Sequence, residues 1–130
     1  MLTKDDPRAA NWSLLCAGVL AIQILVLGSL PFELFEPWDK LFHVLAYSAI
    51  TLLLWIATDG RRRLLVVALV MGLGMVDELR QAAIPARGAD LSDFLAGALA
   101  SIFTGAVLFW LTRTGKAGQN LGAKKRCAES

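Results

Sequence analysis

The chain has 130 residues, enough for one domain, and 56% of them are hydrophobic, with a mean hydropathy of +0.57. A water-soluble domain of this size cannot bury so much apolar side chain, so the composition points to lipid as the solvent. The net charge of +2 says little by itself, two cysteines far apart suggest no disulfide framework, and a lone His43 excludes a multi-histidine metal centre.

Residues 1–11 (MLTKDDPRAAN) read as a polar, frayed, cytoplasmic segment. Residues 12–30 are an apolar run that ends at Pro31, with Gln23 its one strongly polar member. The run exceeds the hydrophobic region of a signal peptide, which is about 7–15 residues, and reads as a first membrane helix. Gln23 is expected to bond to a neighbouring helix. Cys16 reads as a small buried hydrophobe and Cys127 as a free thiol on a tail. Residues 31–38 (PFELFEPW) form an acidic, aromatic loop, and Asp39 opens a second helix over 39–57. Asp59-Gly60-Arg61-Arg62-Arg63 is a tight turn plus a basic cluster, read as a topological anchor that also meets anionic lipid.

The third segment carries the argument. Its apolar part, residues 64–76, covers only about 20 Å as a helix, whereas a bilayer core is about 30 Å thick. To span, the helix must continue through Asp77, Glu78 and Gln81 to about Ile84. That sinks ionisable groups below the membrane surface, where each charge at mid-depth costs roughly 2.5–3.5 kcal/mol on insertion scales. Such groups usually face a bundle interior or a wet cavity, and mark function by default. Residues 85–88 (PARG) are a turn, Asp90 or Ser92 can cap a fourth helix over 91–111, and residues 113–130 read as a disordered, basic cytoplasmic tail.

The expected fold is an all-α, integral membrane four-helix bundle over residues 12–112. With both termini in the cytoplasm, ten basic residues lie inside, including Arg61 to Arg63, against Lys40, Arg80 and Arg87 outside. Trp12, Trp55 and Trp110 would mark the inner interface and Trp38 the outer one. Tyr47 falls in mid-helix, so its hydroxyl needs a partner inside the bundle.

His43, Glu78 and Gly97 each lie 14 residues from the inner ends of their helices, about 21 Å up, and Asp39 and Asp93 lie 18 residues up, about 27 Å. Asp39, His43 and Tyr47 share one helix face by i, i+4, i+8 spacing. Glu78 and Gln81 are i, i+3, as are Asp90 and Asp93, and Gly97 leaves room for another helix or a ligand.

These residues resemble the VanZ-like family of small bacterial membrane proteins. The likeness rests on Asp39-Lys40-x-x-His43-x-x-x-Tyr47, Glu78-x-x-Gln81, Pro85-x-Arg87 and Asp93 in that order, over about residues 12–112. It implies a bacterial envelope protein in the cytoplasmic membrane, with the family's namesake linked to resistance to teicoplanin-type glycopeptides. Gly97 and Ala100 stand where the family typically has Asn and Gly.

Each residue also has a bland reading. His43 is either a base or metal ligand, or a neutral imidazole bonded to a neighbouring helix. Glu78 is either a reacting carboxylate or a structural ion pair with Arg87 or Lys40. At most one of Asp77 and Glu78 is expected to point inward, since adjacent helical residues diverge by about 100°. Gln81 reads as an organiser, and Arg87 as a bidentate clamp or an acid-paired loop residue. Asp90 reads as a cap, with cap and pocket roles both open for Asp93. Lys40 and Arg80 read as solvated interface cations, Lys40 at the pocket rim.

Three functions follow. The first is a pocket, facing outward, that binds an envelope lipid head group or interferes with a lipid-bearing antibiotic; Lys40, Tyr47, Gln81, Arg87 and Asp93 would be its binding residues. The second is an enzyme acting on a lipid-linked phosphate through His43, Glu78 and Asp39. These three could also hold a metal, with Mg²⁺ or Mn²⁺ suiting them better than structural Zn²⁺. The third is a structural bundle without chemistry. A homo-oligomer suits so small a bundle, and a nucleic-acid role has no support because the basic residues sit at membrane edges.

Overall fold

A computed structural model describes residues 7–27, 38–84 and 90–128, with backbone only for Leu27, Asp39 and residues 115–128. Four helices follow in order: α1 (Pro7–Leu27), α2 (Trp38–Ala57), α3 (Arg63–Ala82) and α4 (Leu91–Ala128), with no strand among the described residues. Within them, Pro7–Val26, Lys40–Ala57 and Leu91–Thr114 are long and apolar enough to cross a membrane. The fourth helix, α3, has 20 residues, about 30 Å at the usual rise, but carries Asp77, Glu78 and Arg80 near its end.

Two boundaries differ from the sequence reading by five residues or more. Helix α1 starts five residues earlier, at Pro7, where a fixed φ and a missing N–H suit the first turn. Helix α4 runs on to Ala128 where the sequence suggests a disordered tail from 113. No proline interrupts that stretch, and alanine, lysine, glutamine and leucine between its glycines are good helix formers.

Helix α2 is the hub. It packs against α1, α3 and α4, whereas α1 and α4 make no contact among the described residues. Sequence spacing explains the packing. Buried positions on α2 are His43, Ala46, Tyr47, Ile50, Thr51 and Trp55, a stripe at three- and four-residue intervals. The facing stripe of α4 is made of small residues four apart, Gly97, Ser101 and Gly105, with Asp93 at its head. Small residues let two backbones approach closely, which is how helices associate where lipid removes the hydrophobic drive between them. Thr51 and Ser101, both fully buried, turn their hydroxyls back on their own helices, donating to Tyr47 O at 2.7 Å and Ala98 O at 2.9 Å.

The buried stripe of α3 runs Val66, Val70, Gly74, Asp77, Glu78 and Gln81. It is apolar at one end and polar at the other. Because α3 ends where α2 and α4 begin, its polar end meets His43 and Asp93. The outward faces are the reverse of a soluble protein: Leu64, Phe103, Leu91 and Leu79 are each about two-thirds or more exposed.

The α2–α3 turn is a Schellman closure. Gly60 N–H donates to Trp55 O at 3.0 Å and Asp59 N–H to Ile56 O at 3.2 Å, with Asp59 and Gly60 both at positive φ. Trp55 tucks beneath this turn and is buried, so it does not face the lipid interface as expected. Trp12, Trp38 and Trp110 are exposed. Gln23 and Cys16 also face outward: Gln23 is not turned into the helix packing, and Cys16 is not a core residue.

Candidate functional site

The polar end of the bundle starts with a helix cap. Asp90 is the N-cap of α4: its Oδ1 accepts the Ser92 N–H at 2.8 Å, and its carbonyl accepts the Asp93 N–H at 3.0 Å. The Ser92 hydrogen bonds hold the exposed Asp90 carboxyl below the ordinary carboxylate range. In a capping box, the acid three residues on reaches back to the N-cap N–H. Here the acid that does so comes from another helix. Glu78 Oε2 of α3 accepts the Asp90 N–H at 3.0 Å. Asp93 instead lies buried in the bundle, 3.9 Å from Lys40 Nζ. Lys40 is half-buried at the rim, with Asp90 also 3.9 Å away.

Asp77 anchors a second group. Its Oδ1 accepts from Arg80 Nη2 at 3.0 Å, its Oδ2 accepts from Gln81 Nε2 at 3.0 Å, and Oδ2 lies 3.9 Å from His43 Nε2. Gln81 thus acts as an organiser of Asp77. Arg80, read from sequence as a solvated cation, is instead half-buried and paired with Asp77. The expectation that only one of Asp77 and Glu78 points inward is corrected: both are buried. Their 100° divergence matches the wedge between two neighbours, with Asp77 turned to α2 and Glu78 to α4. Asp77, which the sequence reading left outside the chosen site residues as able to face either way, belongs to the site, and it bonds Gln81 at i, i+4 spacing.

His43, Glu78 and Asp93, one from each helix and all buried, each offer a donor atom within 4.8 Å of the other two. This set differs from the expected Asp39, His43 and Glu78. Asp39 belongs to the first turn of α2, but its side chain lies outside the described residues, as does the whole of Arg87.

Tyr47 forms the floor. Its ring stacks on that of His43, with centroids 5.8 Å apart and planes 12° from parallel. The other ring surfaces are closed by glycines. A Cβ at Gly97 would stand 2.8 Å from Tyr47 Cδ2, and one at Gly74 would stand 3.5 Å from Tyr47 Cε1. Of the two occupants expected at Gly97, another helix or a ligand, the structure shows the helix: Tyr47 of α2 fills the space. The Tyr47 hydroxyl, though buried, makes no hydrogen bond among the described residues.

The opposite end is different in kind. An apolar groove of about 660 Å³ lies between α3 and α4, lined by Trp55, Val67, Ile102 and Phe109, with Arg63 at its edge. The Arg63 and Arg113 guanidinium groups sit 4.4 and 5.0 Å from the Phe109 ring centre.

Comparison with family models, curated proteins and solved structures finds no match to this chain.

Proposed function

We propose that this is a VanZ-like protein of the bacterial cytoplasmic membrane, whose polar end binds the head group of an envelope lipid. In this reading all four helices span, both termini are cytoplasmic, and the polar end faces outward. A lipid-bearing glycopeptide antibiotic would meet the protein at the same place.

One observation carries the proposal: His43, Glu78 and Asp93 converge from three helices, buried, beside half-buried Lys40. Carboxylates at membrane depth are costly, and several kcal/mol is a large fraction of a small bundle's stability, roughly 5–15 kcal/mol. Helix register alone could be fixed by one uncharged polar residue, at less cost. A polar head group entering past Lys40 would meet both signs of charge, which suits a zwitterionic or amine- and phosphate-bearing ligand.

A second reading has its own support. His43 has Asp77 on one side and Glu78 with Asp93 on the other, an arrangement fit for acid–base chemistry on a lipid-linked phosphate.

The test is lipid retention. Protein purified in mild detergent is expected to carry phosphate-bearing bacterial lipid, seen as adducts by native mass spectrometry. His43→Gln and Glu78→Gln should lose those adducts while keeping wild-type helix content and melting temperature. Adducts unchanged in both variants would remove the proposal. Misfolding of both would favour the structural bundle, and release of inorganic phosphate from a polyprenyl phosphate would favour the enzyme.

A further inference from the structure

We infer that His43, Glu78 and Asp93 bind a single divalent cation of the Mg²⁺ or Mn²⁺ type, whose open coordination positions take phosphate oxygens of a head group. The inference rests on the reading of this cluster as a ligand site, and names what the site recognises.

The donor set comes first. One imidazole and two carboxylates are borderline-hard ligands, matched to Mn²⁺ and tolerable to Mg²⁺. Their donor atoms lie within 4.8 Å of one another. A cation at the centre of a triangle of that size is at most about 2.8 Å from each donor, and Mg²⁺ contacts are about 2.0–2.1 Å. Inward side-chain movements of up to about 0.7 Å close the difference.

Lys40 Nζ, 3.9 Å from Asp93 Oδ1, would share that carboxylate with the ion. Asp77 is engaged by Arg80 and Gln81, and stands 3.9 Å from His43 as an added negative charge. Glu78 bonds the Asp90 N–H through Oε2, which fixes the carboxylate and leaves Oε1 as a donor atom. A hydrogen bond of this kind holds a metal-binding carboxylate in one orientation. Charge also favours the ion. Asp77, Glu78 and Asp93 carry three negative charges, whereas Lys40 and Arg80 carry two positive ones. A bare phosphate would be repelled by the carboxylates, and a divalent cation inverts that field.

The Tyr47 hydroxyl is the independent observation. Tyr47 is 2% exposed, its hydroxyl makes no hydrogen bond among the described residues, and Asp77 and Glu78 are the charges acting on it. Its ring is stacked on His43 and packed against Gly74 and Gly97, which fixes it beside one of the three donor residues. A buried hydroxyl without a partner is costly, and a water or phosphate oxygen on the cation would remove that cost.

The experiment uses the purified full chain in detergent, stripped with EDTA, with Mn²⁺ alone as the probe. Loss of the free Mn²⁺ electron paramagnetic resonance signal is expected to report one saturable site per chain. Glu78→Gln keeps an acceptor for the Asp90 N–H and Asp93→Asn is isosteric, so both should fold. Each should weaken binding tenfold or more, and Tyr47→Phe by a smaller factor. Mn²⁺ should also raise the melting temperature of the wild type but of neither carboxylate variant. Absence of saturable binding to folded wild type, or equal binding in both carboxylate variants, overturns the inference. Lipid adducts that survive EDTA overturn it too, while leaving the head-group reading intact. Mn²⁺ binding without any lipid adduct supports the ion and sinks the head group.

Discussion

Gly97 and Tyr47 show how one residue shapes the site. The aromatic ring occupies the space that a side chain at 97 would need, so even alanine brings a Cβ to 2.8 Å from Tyr47 Cδ2. Overpacking of this kind typically costs about 1–3 kcal/mol. Gly97→Ala is expected to lower the melting temperature in detergent, and a Tyr47→Leu change made with it should recover part of the loss. Equal stability of Gly97→Ala and wild type would show that the ring is not pinned there. His43 and Glu78 were legible as candidates because a charge in an apolar run stands out. The burial of Asp77 was not, because spacing along one helix does not say how wide a wedge its neighbours leave.

At the scale of elements, the α2–α3 connection makes opposite predictions at adjacent residues. Asp59 has φ +50 and Gly60 has φ +63. A left-handed conformation costs an L-residue roughly 1–2 kcal/mol. Gly60→Ala should therefore destabilise by about that amount, and more because its Cβ would lie 2.8 Å from Trp55 Nε1. Asp59→Gly should be neutral or stabilising by up to about 1 kcal/mol, since it relieves the same strain but loses the 3.5 Å contact with Arg61. Thermal melts of both variants decide it, and a stabilising Gly60→Ala would refute the closure as described. The turn itself was legible from Asp-Gly followed by three arginines. The position of Trp55 was not. An interfacial tryptophan and one packed under a turn look alike in sequence, since both fall at a helix end beside charges.

At the scale of the whole molecule, three stripes of buried residues carry their polar groups to one end of the bundle and leave Arg61, Arg62 and Arg63 at the other. With cytoplasmic termini, a single cysteine placed at Asp59, with Cys16 and Cys127 replaced, should react with an impermeant maleimide only in inverted membrane vesicles. Labelling in right-side-out cells would turn the polar end to the cytoplasm and remove an envelope ligand from reach. Changing Arg61, Arg62 and Arg63 to Gln should weaken this preference, because the positive bias acts through short loops.

Sequence alone determined that the chain is helical and built for lipid, because hydropathy and segment length are summed over many residues and tolerate local error. It also showed that 13 apolar residues are too few to reach across a bilayer, so that a spanning third helix would carry its acid-rich stretch to membrane depth. The division of labour among the acids was decided only by the tertiary structure. Asp90 and Asp93 have the spacing of a local capping pair, and nothing in that spacing reveals that Glu78, 12 residues before Asp90, takes the Asp90 N–H. One donor has one best acceptor, and which acid is nearest depends on how α3 packs against α4. That packing leaves Asp93 inside the bundle, beside His43.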